Sequence, residues 1–226
     1  MLSSQAVWII MILVMVLSLV IQRVLQSRFA KYSEVPMSVT GAEVAGRMLQ
    51  AHGIRDVQIV SIPGKLTDHY DPATRTVNLS EEVYYGRSVA SAAVAAHECG
   101  HAVQHATGYA PLRMRSALVP VVSFSNSIVS WVLLAGVIFI NVFPSLLWIG
   151  IILFAVTTLF SFITLPVELN ASSRAVKWLD NAGIVSYETK PMAVDALRWA
   201  AYTYVIAALG SLATLLYYLS IANRRR

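Results

Sequence analysis

The residues with the strongest claim to chemistry are His97-Glu98-Cys99-Gly100-His101. On a helix, residues four apart project from one face, one turn above the other, so two imidazoles at this spacing can grip a single ion. Neutral imidazoles bind Zn²⁺ at about 2.0–2.1 Å each. Glu98 is turned about 100° around the axis from His97. It need not bind the ion and can instead reach the water that the ion activates, which is the general-base arrangement of an H-E-x-x-H site. Cys99 points about 200° away from His97 and is expected to pack in a core.

A third ligand must come from elsewhere, because a catalytic zinc usually takes three protein groups and keeps a fourth position for water. The extended metzincin motif would place a histidine six residues after His101, but Thr107 stands there. His105 lies about 80° around the axis from His97 and two turns along, which suits a surface or supporting histidine better than a ligand. The best carboxylate is Glu168, in Leu165-Pro-Val-Glu-Leu-Asn-Ala-Ser-Ser-Arg174, with Glu188, Asp180 and Asp195 as rivals. Amide hydrolysis would also call for a donor to the carbonyl oxygen, and Tyr204, Tyr202, Arg174 and His69 are the candidates.

The elements that must position these groups can be read on either side of them. Thr40-Gly-Ala-Glu43 is a capping box opening a helix that Gly53 ends. Val57, Ile59 and Ile62 alternate as a short strand, and Tyr70-Asp-Pro-Ala-Thr74 is a turn before an extended Arg75–Leu79. That extended piece could align a substrate by strand addition or be an ordinary strand of a small sheet. Ser80, Glu81 and Glu82 start helical structure, Gly86 interrupts it, and Ser88 opens the alanine-rich helix carrying the histidines. A further helix begins near Val167 and stops at Gly183, and Pro191 suits the first turn of the last helix.

Composition places this assembly at a membrane. The chain has 226 residues, of which 57% are hydrophobic and only 13% charged, about half the charged share of a soluble domain. Neither acids, bases nor histidines occur from Ser116 to Val167, and Leu2–Ile21 and Trp199–Ala222 are equally bare. A membrane-crossing helix needs about 20 apolar residues, so four spans are expected near 3–22, 117–141, 145–166 and 201–222, the middle two joined by a turn at Asn141–Pro144. The first span reads as a retained signal anchor, since no positive charge precedes it and no cleavage site follows it. The expected domains are an anchor at 1–22, a surface domain at 23–116, a transmembrane hairpin at 117–166, a segment at 167–200 carrying the third ligand, and a last span with a basic tail at 201–226. The fold class is mainly α: a four-span helical membrane protein with a small α+β, zincin-like metal-binding domain at the membrane surface.

The net charge of +5 does not point to nucleic acid, because the basic residues form no patch interleaved with aromatics. Arg23, Arg28, Lys31, Arg113, Arg115, Arg174, Lys177 and Arg198 cluster at span ends on one face, against Arg224, Arg225 and Arg226 on the other. The positive-inside rule then puts the histidine face in the cytoplasm. A single cysteine excludes an internal disulfide and fits a reducing compartment.

In Asp68-His-Tyr-Asp-Pro72, Val77-Asn-Leu-Ser80, Ser88 through His105, Leu165–Ser172 and Thr203-Tyr-Val205, the chain resembles the bacterial membrane-bound neutral zinc metallopeptidases of YugP type. The resemblance covers nearly the whole chain. It implies a gluzincin-like site, with His97, His101 and Glu168 on one zinc ion and Glu98 as base. Glu168 follows the bilayer boundary by only a few residues, so the metal is expected near the membrane surface and the substrates are expected to be membrane proteins, or peptides cut close to the membrane. Two departures stand out: Cys99 replaces an apolar residue, and Ser172 stands where other membrane gluzincins carry an aspartate. A transporter would place ionisable groups inside its spans, where none occurs. A scaffold with structural zinc would need a closed four-ligand site.

Overall fold

A computed structural model describes residues 4–223; Arg224, Arg225 and Arg226, and the first residue of the expected amino-terminal span, lie outside that range. Four of its helices are long and apolar enough to cross a membrane: α1 (Ser4–Ser33), α5 (Ala110–Ile138), α6 (Pro144–Asn181) and α7 (Lys190–Asn223). Each runs beyond the apolar span expected for it. The helix expected to begin near Val167 is instead the continuation of α6, which passes through Pro166 without a break. Proline removes one hydrogen bond from a helix, but Val167, Glu168 and Ala171 just beyond it are buried and hold the chain on course.

Internal contacts divide the chain into two units. The first comprises Met1–Val20, Met114–Leu165 and Thr203–Arg226. There α5 and α6 meet through glycines: a Cβ on Gly136 would lie 2.6 Å from Leu147 Cα, and one on Gly150 would lie 2.7 Å from the Leu133 side chain. Small residues let apolar helices approach closely where no hydrophobic drive between them exists. Val129, Leu133, Leu147 and Ile151 fill the contact.

The second unit, Ile21–Arg113 with Pro166–Tyr202, holds the small α+β portion. Strands β1 (Gln58–Ile62), β2 (His69–Asp71) and β3 (Thr76–Ser80) form one sheet in the order β1-β3-β2. β1 and β3 are parallel, with Gln58 opposite Thr76; β2 and β3 are antiparallel, with His69 opposite Asn78. β3 is therefore the central strand. Both its edges are paired, and the ordinary-strand reading of 75–79 holds over substrate alignment there.

Helix α2 (Gly41–Ala51) carries the expected capping box: Glu43 N donates to Thr40 Oγ1 at 3.1 Å, and Thr40 N donates to Glu43 Oε2 at 2.7 Å. A short helix, α3 (Glu81–Tyr84), precedes α4 (Val89–Ala106), whose first turn is capped by Ser88 Oγ accepting from Ser91 N. The alanines of α4 pack against Val44, Met48, Val77 and Leu79 on one side and Ala175, Leu179 and Ala193 on another. The two polar segments share this one core, as their lengths require. Tyr32 of α1 donates to Asp195 of α7 at 2.7 Å, and Arg28 lies 3.4 Å from the same carboxylate oxygen.

Candidate metal centre

Cys99 is fully buried, its thiol directed at the Ala45 carbonyl, and burial pushes its pKa far up. That leaves His97 and His101 on the face toward α6, where their rings stand 4.8 Å apart, edge to face. The helices cross there almost backbone to backbone. A Cβ on Gly100 would lie 2.7 Å from the Ala171 carbonyl oxygen. Only glycine permits that approach, and the approach is what brings Glu168 within reach.

Glu168 Oε2 lies 3.2 Å from His97 Nε2 and 3.5 Å from His101 Nε2. One atom from each of the three residues falls within a 4.8 Å group. Tetrahedral ligands at about 2.0–2.1 Å from zinc sit about 3.3 Å from one another, so the donor set and its spacing fit that ion. Burial opposes charge on His101, yet its bond to Glu168 and the fields of Glu98 and Glu168 outweigh burial and raise its pKa above the ordinary value.

Each imidazole is held from behind. His97 Nδ1 meets Ser172 Oγ at 3.1 Å. Ser172 is one turn beyond Glu168 on α6, so both face the same ring; the serine that replaces the expected aspartate keeps contact with a histidine. His101 Nδ1 meets Gln104 Oε1 at 3.1 Å. Gln104 was not among the residues expected at the site, although its position three residues after His101 on the same helix was a signal. Glu98 is buried on the same helix, and the field of its carboxylate acts on His101.

The remaining candidates have the following partners. His105 Nδ1 pairs with Tyr70 OH at 2.7 Å, beside a cavity of about 350 Å³ also lined by Asp56 and Arg75. His69 bonds the Thr67 carbonyl through Nδ1 and approaches Asn78 at 3.3 Å. Arg174 donates from Nε to Asn170 Oδ1 at 2.7 Å and lies over the Tyr109 ring. Tyr204 belongs to the first unit and is 37% exposed. Of the rival carboxylates, Asp180 pairs with Lys190 and Asp195 with Tyr32 and Arg28.

The model of the family described as "Putative neutral zinc metallopeptidase" matches residues 7–223. The chain belongs to that family. It is 44% identical over 198 residues to the Bacillus subtilis (strain 168) protein described as "Putative membrane protease YugP", covering 87% of each chain. No solved structure matches it.

Proposed function

We propose that this chain is a zinc-dependent endopeptidase that hydrolyses peptide bonds of membrane-associated proteins or peptides. The observation that carries the reading is the meeting of His97 Nε2, His101 Nε2 and Glu168 Oε2 from two helices, with Glu98 next to His97 on the same helix. His97, His101 and Glu168 would hold one zinc ion. When bound, that ion supplies Lewis acidity toward water and toward the amide carbonyl. Glu98 takes a proton from the attacking water and returns it to the leaving amine, a general-base role commonly worth about 10²–10⁴ in rate. Ser172 and Gln104 keep the two imidazoles turned toward the ion.

Membrane-associated substrates follow from the chain itself. Glu168 is the first ionisable residue after the uncharged run Ser116–Val167, which favours cleavage close to a bilayer. We take 1–22, the hairpin 117–166 and the helix 201–222 as the bilayer portions of a bacterial plasma-membrane protein, with 23–116 and 167–200 on the cytoplasmic side, as the clustered basic residues favour.

The test is metal analysis of the purified full chain, with cleavage of denatured membrane proteins by wild type and Glu98→Gln. One zinc per chain is expected in both, with cleavage lost in the variant. Undiminished cleavage by Glu98→Gln refutes the role of Glu98. Cleavage that survives exhaustive chelation refutes the metal.

A further inference from the structure

Gln104 is wholly buried at the crossing of α4 and α6, and each polar atom of its side chain is used. Nε2 donates to the Val167 carbonyl at 2.8 Å and to Asn170 Oδ1 at 3.0 Å. Oε1 lies 3.1 Å from His101 Nδ1. The sense of this chain of bonds follows from its fixed members. A guanidinium can only donate, so the Asn170 atom that meets Arg174 Nε must be the carbonyl oxygen. A backbone carbonyl can only accept, so the Gln104 atom at Val167 must be the amide nitrogen. Both ends therefore agree on the amide orientations, which otherwise have to be assigned from context. Gln104 is left with an oxygen toward His101, and that oxygen can only accept. His101 must therefore carry a proton on Nδ1, so the neutral ring that metal binding requires has its lone pair on Nε2, 3.5 Å from Glu168 Oε2.

We infer that Gln104 is a positioning residue, which fixes the tautomer and direction of His101: its Nε2 is committed to the Val167 carbonyl and to Asn170 Oδ1, where Arg174 Nε also donates, so only its Oε1 faces His101 Nδ1. The same side chain ties α4 to the carbonyl of Val167, the residue next to Glu168, so one amide sets the ligand on each helix. The inference rests on zinc binding as proposed above. Hydrogen bonds behind a ligating histidine typically change metal affinity by about 10–100-fold.

The test is zinc affinity of the full chain in detergent, by competition with a chromophoric chelator, together with the visible spectrum of the cobalt(II) form. Gln104→Met keeps the volume and removes every bond; its affinity should fall by about 10–100-fold, with an altered cobalt spectrum. Asn170 is only partly buried, so its variants keep the test open should Gln104→Met fail to fold. Asn170→Asp preserves an oxygen for both donors and should bind zinc like wild type, whereas Asn170→Leu should bind several-fold more weakly and change the spectrum. Wild-type affinity in Gln104→Met, or in Asn170→Leu, overturns the inference, as does a loss in Asn170→Asp equal to that in Asn170→Leu. Absence of tight zinc binding by wild type would instead overturn the metallopeptidase reading, and the inference with it.

Discussion

Replacing Gly100 by alanine should harm metal binding far more than folding. The added Cβ would stand 2.7 Å from the Ala171 carbonyl oxygen and 3.1 Å from the Ala171 carbonyl carbon and Cα. Carbon and carbonyl oxygen settle at about 3.3–3.6 Å, so the contact must open by roughly 0.6–0.9 Å. The obstacle is backbone inside a helix and cannot swing aside, so α4 and α6 must separate. Such overpacking costs about 1–3 kcal/mol, and alanine's better helix propensity offsets about 1 kcal/mol of it. The net loss of stability is about 0–2 kcal/mol. The site has less latitude, since workable metal–ligand distances vary by about 0.2 Å. Gly100 adjoins His101, and Ala171 is three residues from Glu168 on α6, so the separation falls directly between the ligands. Zinc affinity should drop by at least about 10–100-fold, measured by chelator competition, while the metal-free protein still melts cooperatively. Wild-type zinc affinity in Gly100→Ala would refute the claim that close helix crossing positions the site.

Gly46→Ala gives the opposite outcome from the same reasoning: its Cβ would meet only the Ile59 side chain at 3.8 Å, within helix α2, so melting should show stabilisation of about 0.5–1 kcal/mol. Cys99, with its pKa pushed far up by burial, should resist maleimide in the folded protein and react once denatured, because the thiolate is the reactive form; rapid native labelling would contradict its packing. In metal-free protein, the raised pKa of His101 contributes stability that is full below the ordinary value of about 6.5 and is lost as pH rises through the folded value. Melting in a chelator should thus be higher near pH 6 than near pH 8.5, the difference shrinking in Glu168→Gln, while zinc affinity runs the other way because ligation needs the neutral ring.

Local patterns account for much of this architecture. Thr40-Gly-Ala-Glu43, Ser88 and the glycines that end helices at Gly53, Gly108 and Gly183 act within a few residues, so they could be read along the chain, and all three glycines have positive φ. Long uncharged runs likewise announce four membrane-capable helices, because crossing a bilayer demands apolar length above all. The four-residue spacing of His97 and His101 is a property of one helix and needs no tertiary information. Other features depend on which surfaces meet. That α6 remains helical through Pro166, and that β3 is central in its sheet, is recorded by no local preference. Glu168 could be ranked above its rivals by position in the chain, but the distance to both imidazoles was decided by the crossing at Gly100 and Ala171. Gln104 shows the limit most plainly. Its spacing from His101 was visible, yet its role depends on a carbonyl and an amide 63 and 66 residues away. Hydrogen-bond direction is fixed only when every partner is in place, and folding alone brings those partners together.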